Sequence, residues 1–336
     1  MAEPTAAEQL QRMVGGFRVS QAIHVAAELG ISDLLSGGPL SADELAARAR
    51  AHPRSLYRLL RALSTVGVYE ELPDGRFRST AIGEALRSDA PDSLTGWARL
   101  VGRPYFWQAW SALGHSVRTG ENAFRSVYGE DVWSYRAARP EESEIFDGAM
   151  TALASTDVAS VMDAYDFGRF DTIADIGGGR GAFLAAILDR WPHLTGVLTD
   201  QAHVVAGAPK LLEAAGVAQR CRIEAGSFFD AVPTDADAYV LKSVIHDWAD
   251  EDSVRILATC RRDMPADAVV LLVERVLTGL NQNPVGAFSD LNMLVAPGGQ
   301  ERTEDEYRSL LASAGLSHVR TTVSSSGYAV VEAVRA

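Results

Sequence analysis

The sequence contains little cysteine and little lysine, and each scarcity excludes a class of protein. Cys221 and Cys260 are the two cysteines among 336 residues, too few and too far apart for a zinc knuckle. Thiols this sparse are typical of a reducing compartment, where they stay free. Lys210 and Lys242 are the two lysines, and neither follows a glycine. The sequence therefore lacks the Gly-Lys-Ser/Thr signature of a phosphate-binding P-loop.

Positive charge and long apolar runs are also scarce. Lysine and arginine total 31 against 44 aspartates and glutamates, a formal net charge of -13 that repels phosphate backbones. No apolar run approaches the ~18 residues that cross a bilayer, and the first residues lack the basic head and apolar core of a secretory signal. Hydrophobic residues still make up 47% of the chain, as in globular proteins. We therefore expect a cytoplasmic protein that binds neither nucleic acid nor membrane.

The N-terminal hundred residues are predicted to be mainly helical. Residues 17–35 carry apolar side chains at helical spacing, and a later helix is predicted over 54–66. A short hairpin with its turn at Asp74-Gly75 follows. Helix, turn, helix and hairpin in this order are typical of a winged helix, which can bind DNA or serve as a packing unit. The acidic net charge favours the packing role, although arginines make this region locally basic.

From about Phe170 the pattern changes to alternating strands and helices. Strands are predicted in the segments DTIADI, LTGVLTD, RCRIEAG, DADAYVLK and AVVLLVERV. This alternation predicts an α/β fold with a parallel, doubly wound sheet. The chain ends in two strand-like segments joined by a Ser-Gly turn, so we expect the last strand to run antiparallel. Capping boxes formed by Ser41 with Glu44 and by Thr303 with Glu306 predict two helix starts.

The first of these strands leads into the glycine loop DIGGGRG. Gly177, Gly179 and Ala182 match the dinucleotide fingerprint G-x-G-x-x-G/A, so the loop alone permits NAD. Asp175 would oppose a pyrophosphate but suits a cation such as the α-ammonium group of a methionine moiety. Asp200 ends the second strand and is placed to accept both hydroxyls of a ribose, with a turn-forming aspartate as the alternative. Together with the antiparallel end of the sheet, these features point to S-adenosyl-L-methionine.

At these motifs the chain resembles the S-adenosylmethionine-dependent small-molecule O-methyltransferases of the plant caffeate and isoflavone type and their actinobacterial relatives in natural-product tailoring. The resemblance covers nearly the whole chain and rests on DIGGGRG, LKSVIHDWADEDSVRIL, LLVERV and GGQERTEDEY. It implies a homodimer with three parts: a winged-helix dimerisation domain (1–105), a helical connector contributing to the acceptor pocket (106–165) and a Rossmann-like class I methyltransferase domain (166–336). The family's general base and its two flanking glutamates correspond to His246, Glu274 and Glu301.

The chemistry of methyl transfer agrees with these roles. Displacement at a sulfonium requires a positioned, deprotonated oxygen, and a phenol has a pKa near 10. A neutral His246 imidazole could take that proton while Glu274 holds the other ring nitrogen. We expect Glu301 on the opposite side of the ring. A structural histidine is the alternative, and a metal site starting at His246-Asp247 lacks an evident third ligand, so we expect no metal.

The resemblance also supplies cofactor and acceptor residues. Those predicted to bind the cofactor are Asp175, Gly177, Gly179, Asp200, Gly226, Ser227, Phe228 and Lys242. Ser227 departs from the family, which usually has an acid there, but its hydroxyl can still hydrogen-bond while Phe228 stacks on adenine. Predicted walls of the acceptor pocket, with plain core as the alternative for each, are Trp107, Phe146, Met150, Asn292 and Met293.

We therefore predict a metal-independent O-methyltransferase that acts on a hydroxyl, by preference phenolic, of an aromatic small-molecule metabolite. The product of its cofactor would be S-adenosyl-L-homocysteine. Three alternatives stay open at this point: methyl transfer to carbon or nitrogen, a tailoring reaction that uses the cofactor pocket without transferring methyl, and a winged-helix regulator that binds DNA.

Overall fold

The chain forms two compact units in the computed structural model, which describes residues 4–90 and 93–336. One unit comprises Met1–Trp107 with Glu141–Leu153, and the other comprises Gln108–Pro140 with Ala154–Ala336. The division into 1–105, 106–165 and 166–336 stays a prediction.

The chain up to residue 111 is mainly helical and has one small sheet. Its helices are α1 (Ala6–Glu28), α2 (Ile31–Leu34), α3 (Ala42–Ala49), α4 (Pro53–Ser64), α5 (Ala81–Glu84), α6 (Thr95–Val101) and α7 (Pro104–Ser111). Its strands are β1 (Leu40–Ser41), β2 (Tyr69–Glu71) and β3 (Arg76–Ser79), in the antiparallel order β1-β3-β2. The predicted order of helix, helix and hairpin is present, and the name winged helix stays an interpretation of it.

Local sequence explains where these helices begin. The Ser41 hydroxyl accepts the Glu44 N–H at 3.2 Å while the Glu44 carboxylate accepts the Ser41 N–H at 2.8 Å, which confirms the predicted capping box. A second box, Thr5 with Glu8, starts α1 at Ala6, eleven residues before the predicted helical stretch. That earlier start lengthens α1 to 23 residues.

Four helices connect this region to the large sheet. They are α8 (Leu113–Thr119), α9 (Ala123–Tyr128), α10 (Val132–Ala137) and α11 (Pro140–Ala164). Asn122 and Asp131 cap α9 and α10 through their side-chain oxygens. Among the described residues, no helix is both long enough and apolar enough to cross a bilayer.

The second unit contains a mixed sheet with helices on both faces. Its strands are β4 (Thr172–Ile176), β5 (Thr195–Asp200), β6 (Cys221–Ala225), β7 (Ala238–Lys242), β8 (Val269–Leu277), β9 (Arg302–Thr303), β10 (Leu316–Val323) and β11 (Tyr328–Arg335). The remaining α-helices are α12 (Ala182–Arg190), α13 (Ala202–Val205), α14 (Ala208–Ala214), α15 (Asp250–Asp263), α16 (Pro284–Val295) and α17 (Glu304–Ser313). Short 3-10 helices cover Phe167–Arg169, Ala218–Arg220 and Ile245–Asp247.

The strand order is β10-β11-β8-β7-β4-β5-β6, and β9 pairs with the end of β8. Strands β4 to β8 run parallel, whereas β11 is antiparallel to both β8 and β10. The parallel sheet and its antiparallel last strand, as predicted, are thereby confirmed. The chain order changes direction between β4 and β7, and in such sheets ligands bind outside the carboxyl ends of the strands at that point.

The central strands are apolar because both of their faces are covered. Val240 and Leu271 point to the core that includes α12 and α14, while Leu241 and Leu272 point to the core that includes α15 and α17. Alternate residues of each strand are thus buried on opposite faces. The carboxyl ends of these strands are then free to carry polar residues.

Candidate active site

Two groups of predicted residues lie at the carboxyl ends of the parallel strands. We call Asp175, Gly177, Gly179 and Asp200 the glycine cradle. We call His246, Glu274 and Glu301 the histidine cluster. The two groups are close, because a Cβ added at Gly177 would lie 2.9 Å from the Val244 side chain, two residues before His246.

The glycine loop needs glycine for two different reasons. Gly177 has φ 69° and Gly179 has φ 61°, both in the left-handed region. A Cβ at Gly177 would also lie only 3.3 Å from the Phe228 ring, whereas a Cβ at Gly179 would meet no atom of the described residues within 4 Å. The loop therefore packs tightly at Gly177 and borders open space at Gly179, as a backbone that approaches a ligand would.

Asp175 is the most unusual residue of the glycine cradle. Its side chain is buried, with 1% of the residue exposed, and neither carboxylate oxygen has a hydrogen-bond partner among the described residues. Burial raises its pKa to about 7, opposed by the positive charge of Lys242 and reinforced by Asp200. A buried carboxylate left without partners is costly, and a cationic ligand group would satisfy it.

Asp200 ties the end of β5 to the glycine loop. Its Oδ2 accepts the Gly179 N–H at 2.8 Å and its Oδ1 accepts the Gln201 N–H at 2.6 Å. Burial raises the pKa of Asp200, while the two backbone donors oppose that rise. The Asp200 carbonyl accepts the Gly226 N–H at 3.0 Å, which brings Gly226 to the same edge. Each carboxylate oxygen keeps a lone pair that a ribose hydroxyl could use.

An aromatic wall follows the third parallel strand. The Phe228 ring meets the Trp248 ring edge-on, with 5.9 Å between centroids, and Phe229 meets Trp248 at 4.8 Å. Ser227 uses its hydroxyl locally, accepting the Phe229 N–H at 3.3 Å. The Phe228 ring lies next to Gly177, and the contacts of Phe228 and Ser227 with adenine stay predictions.

Lys242 ends β7 between two aromatic rings. Its Nζ lies 4.9 Å from the Tyr328 centroid and 5.8 Å from that of Phe183. Its charge lowers the pKa of Asp175, opposing the effect of burial. Both roles considered for this lysine, cofactor contact and strand cap, remain compatible with this position.

The histidine cluster is built on a tight turn after β7. Ser243 has φ 54°, a left-handed conformation that non-glycine residues adopt at a cost, and the 3-10 helix Ile245–Asp247 follows. Glu274 on β8 stabilises this turn because its Oε1 accepts the N–H groups of Val244 at 3.1 Å and Ile245 at 2.8 Å. The motif predicted a contact between Glu274 and the imidazole, but it did not predict these hydrogen bonds to the backbone.

Both glutamates approach the same nitrogen of His246. Its Nδ1 lies 3.0 Å from Oε1 of Glu301 and 3.5 Å from Oε2 of Glu274. The expectation that Glu301 lies on the opposite side of the ring is therefore wrong. The reason is β9, which pairs in parallel with the end of β8 and brings Glu301 alongside Glu274. The Ser289 hydroxyl donates to Oε1 of Glu301 at 2.7 Å. On the other side of the ring, Nε2 of His246 lies 3.6 Å from Oδ1 of Asp247.

Burial and charge oppose each other in the histidine cluster. Burial would lower the pKa of His246, but Glu274, Asp247 and the bond to Glu301 outweigh it and raise that pKa well above 6.5. Burial raises the pKa of Glu274 to about 7, against the pull of His246. Burial also disfavours ionised Glu301, yet the hydrogen bond and charge of His246 lower its pKa overall. The cluster therefore favours a proton on the imidazole beside an ionised Glu301.

Arg302, which the sequence analysis did not single out, anchors the same turn. With 1% of the residue exposed, it donates to the carbonyl of Ile245 at 3.1 Å, the carbonyl of Trp248 at 2.9 Å and the Asp250 carboxylate at 2.7 Å. Gly299 passes so close that a Cβ would lie 2.1 Å from the His246 carbonyl oxygen. Gly299 and Arg302 both lie in the motif GGQER, next to the predicted Glu301.

The predicted pocket residues lie in different units. In the first, Trp107 meets Phe17 edge-on at 6.2 Å, and Phe146 and Met150 lie one turn apart on α11, both partly exposed. In the second, Met293 is buried and Oδ1 of Asn292 accepts the Trp110 indole N–H at 3.2 Å. A role for these side chains in an acceptor pocket stays a prediction.

Comparison with known proteins decides the family. Residues 110–317 match the O-methyltransferase domain, and residues 11–89 match the O-methyltransferase dimerisation domain. The chain belongs to the O-methyltransferase family. Phenazine O-methyltransferase PhzM of Lysobacter antibioticus is 41% identical over 324 residues, covering 96% of this chain and 95% of that protein. O-demethylpuromycin-O-methyltransferase of Streptomyces alboniger is 43% identical over 336 residues, covering 98% of this chain and 89% of that protein.

A solved structure shows that this O-methyltransferase has the predicted fold. The crystal structure of LaPhzM matches with a TM-score of 0.96 at 40% identity, covering 99% of this chain and 100% of that one. The prediction of a class I methyltransferase sheet with a mostly helical N-terminal dimerisation region is confirmed. The protein is an enzyme, and S-adenosylmethionine is the cofactor of its class.

The glycine cradle of this O-methyltransferase fits that cofactor. The unpartnered, buried carboxylate of Asp175 matches a cationic ammonium group. The open space beside Gly179 leaves room for a ligand next to the backbone. The residues that would make these contacts are those predicted from the sequence, and their individual roles are proposals.

Proposed function

We propose that this O-methyltransferase methylates a phenolic hydroxyl of an aromatic small molecule, with His246 as the general base. One observation carries the proposal: Oε1 of Glu301 lies 3.0 Å from Nδ1 of His246 and can accept a hydrogen bond from it. Because a neutral imidazole carries one proton, a proton held on Nδ1 leaves the lone pair on Nε2. Nε2 is thus the atom that would accept the hydroxyl proton of the acceptor.

The surrounding carboxylates make His246 a stronger base. A phenol with a pKa near 10 gives up its proton more readily to a base whose pKa is raised toward that value. Glu274 and Glu301 raise the pKa of His246 and would stabilise the imidazolium that forms. The base must begin neutral, so turnover should rise with pH through the pKa of His246. Bound S-adenosylmethionine supplies the electrophilic methyl group.

The glycine cradle would hold the cofactor by charge and hydrogen bonds. Asp175 would pair with the ammonium group, and Asp200 would accept the ribose hydroxyls. Gly226, Ser227 and Phe228 would border the adenine, with Lys242 nearby. This assignment is supported by the buried carboxylate of Asp175, whose two oxygens have no hydrogen-bond partner among the described residues.

An aromatic acceptor is supported by relatives and by nearby rings. An O-methyltransferase from neocarzinostatin biosynthesis, NcsB1, was crystallised with 1,4-dihydroxy-2-naphthoic acid. In the present chain, Trp248 lies two residues after His246 and stacks on Trp133, with 6.2 Å between centroids. Flat rings beside the base suit a flat acceptor. The five predicted pocket residues are retained as part of this proposal.

The dimer would use the first helix. Four apolar side chains of α1 are exposed at positions i, i+3, i+4 and i+7, namely Leu10 (61%), Met13 (75%), Val14 (69%) and Phe17 (51%). Most of α1 belongs to the matched dimerisation domain, residues 11–89, and an apolar stripe on such a helix is best buried by a second copy. Met13→Glu should therefore give a monomer in light scattering. Arg12→Glu, on the other side of α1, should leave the dimer intact.

The function is tested with purified enzyme, S-adenosylmethionine and hydroxylated aromatic acceptors that include 1,4-dihydroxy-2-naphthoic acid. The expected product carries one new methyl group on oxygen, located by NMR, together with an equivalent amount of S-adenosylhomocysteine. A product methylated on carbon or nitrogen would show that the acceptor atom is not a phenolic oxygen. Absence of transfer to any phenolic acceptor, in enzyme that binds S-adenosylhomocysteine, would overturn the proposed reaction.

A further inference from the structure

We infer that the histidine cluster is also a binding site for Zn²⁺, and that the ion inhibits methyl transfer by fixing the wrong tautomer of His246. The inference rests on the proposed role of His246 as the base. Three potential ligand atoms, one each from His246, Glu274 and Glu301, lie within 4.8 Å of one another. Imidazole nitrogen and carboxylate oxygen are ligands that zinc commonly takes.

Two of the three ligand separations match those of a zinc site. Zinc lies about 2.0–2.2 Å from such ligands in tetrahedral geometry, which separates two ligand atoms by roughly 3.3 Å. His246 Nδ1 lies 3.0 Å from Glu301 Oε1 and 3.5 Å from Glu274 Oε2. The two measured separations lie on either side of the required one. An ion could thus take the place of the proton on Nδ1, with one oxygen of each glutamate as a neighbour.

Unsatisfied oxygens in the histidine cluster point to a ligand independently of these distances. Oε2 of Glu274 and Oε2 of Glu301 are buried and have no hydrogen-bond partner among the described residues. Both side chains are 0% exposed. Buried carboxylate oxygens without partners are uncommon because they forfeit the hydrogen bonds that water would give. A divalent cation beside Nδ1 would compensate Oε2 of Glu274 directly and would place a positive charge next to the carboxylate of Glu301.

Neighbouring groups hold the carboxylates in the orientation that a metal needs. Glu274 is fixed through Oε1 by backbone N–H groups, which leaves Oε2 for the ion. Glu301 is fixed by the Ser289 hydroxyl on Oε1 and by its own N–H, which donates to Asp290 at 2.9 Å. Such outer contacts orient metal ligands and strengthen binding.

The consequence for the reaction follows from the imidazole itself. If zinc bound Nδ1 of the protonated ring, the Nδ1 proton would be released to solvent and the proton on Nε2 would stay; if it bound the neutral ring, the single proton would move from Nδ1 to Nε2. The lone pair that would accept the hydroxyl proton is then absent. Zinc should therefore stop proton transfer while leaving the affinity for S-adenosylhomocysteine unchanged, because the glycine cradle takes no part in binding the ion.

The experiment titrates metal-free, full-length enzyme with Zn²⁺ by calorimetry and measures inhibition of methyl transfer in parallel. We expect one ion per chain, an inhibition constant equal to the dissociation constant, and recovery on adding a chelator. Glu274→Gln and Glu301→Gln should each weaken zinc binding by about 10-fold or more, since an amide is a poorer ligand than a carboxylate. Titration of both variants with S-adenosylhomocysteine verifies that they are folded.

Two control variants distinguish this site from others that could take zinc. His115→Ala removes an exposed histidine that lies 3.1 Å from Glu121, and Cys221→Ser removes the partly exposed thiol. Both should bind zinc like the wild type. The inference is overturned if the glutamate variants bind zinc unchanged, if either control abolishes binding, or if zinc lowers the affinity for S-adenosylhomocysteine. Methyl transfer by the metal-free enzyme tests the proposed function separately.

Discussion

The glycine cradle and the histidine cluster each bury a carboxylate on a parallel strand, Asp175 on β4 and Glu274 on β8, but the two carboxylates have different partners. Burial raises the pKa of Asp175 and of Glu274 to about 7 in both cases. Asp175 has no hydrogen-bond partner among the described residues. Glu274 binds the backbone N–H groups of its turn and faces Nδ1 of His246 at 3.5 Å. The carboxylate of Asp175 thus lacks the direct partners that the carboxylate of Glu274 already has.

This difference separates binding from proton transfer. A site that lacks its counter-charge is completed by a ligand, so its carboxylate should determine affinity. A site that already contains a histidine beside its carboxylates is prepared for proton transfer, so its residues should determine the rate. Substitutions in the histidine cluster should therefore leave cofactor affinity unchanged, and substitutions in the glycine cradle should leave the rate at saturating cofactor unchanged.

The largest effect is expected in the histidine cluster. His246→Ala should lower turnover by about 10²–10⁴-fold, the usual scale for losing a general base. Affinity for S-adenosylhomocysteine should stay within a few-fold of the wild type, because no atom of His246 belongs to the glycine cradle. Steady-state kinetics and calorimetry measure the two quantities. A parallel loss of affinity would show that the two groups do not act separately.

Substitution of Asp175 should produce the opposite pattern. Asp175→Asn should weaken S-adenosylhomocysteine binding by roughly 30-fold or more, since breaking a buried charge pair costs about 2–5 kcal/mol. Turnover at saturating cofactor should change much less. Calorimetric titration and initial rates at saturating S-adenosylmethionine measure both. Unchanged affinity would mean that the cofactor's cation binds elsewhere.

The same substitution should stabilise the ligand-free protein. The folded pKa of Asp175, about 7, lies above that of an unfolded aspartate. Its burial therefore destabilises the fold fully above pH 7, and the penalty disappears as pH falls through the window from about 7 to about 4. Asp175→Asn should unfold at a higher temperature than the wild type at pH 8, with a smaller difference near pH 4. Scanning calorimetry at both pH values measures the difference in unfolding temperature between Asp175→Asn and the wild type.

The smallest effect is expected at Ser227. Its hydroxyl is already engaged with the Phe229 N–H, and one neutral hydrogen bond contributes about 0.5–1.5 kcal/mol. Ser227→Ala should weaken S-adenosylhomocysteine binding by no more than roughly 10-fold. A loss as large as that of Asp175→Asn in the same titration would show that Ser227 replaces the family's acid directly.

Local patterns in the sequence predicted much of this molecule. The capping boxes at Ser41 and Thr303 and the strand before the glycine loop depend on residues near in sequence, and the structure confirms them. The start of α1 at Ala6 was missed although two local signals mark it: the capping box of Thr5 with Glu8, and apolar side chains at helical spacing from Leu10 to Phe17.

The detailed arrangement of the site depended on contacts between distant segments. Glu301 reaches Nδ1 because the two-residue strand β9 pairs with β8, and strands this short have no sequence signal. Arg302 reaches the carbonyls of the histidine turn from about 55 residues away in sequence. A motif can name such residues, but the atom that each one contacts is set by tertiary packing.

The central claim is that His246 removes a proton that the acceptor would otherwise keep. The most direct test follows methyl transfer to a phenolic acceptor from pH 7 to pH 9 in the wild type and in His246→Ala, at saturating cofactor. The phenolate fraction in solution rises about 10-fold per pH unit below a pKa near 10. The neutral fraction of His246 rises in the same way below its own raised pKa, so the deficit of the variant should stay large at first and shrink only where the pH exceeds that pKa. We predict a deficit of about 10²-fold or more at pH 7. A variant as active as the wild type at pH 7 would contradict the account.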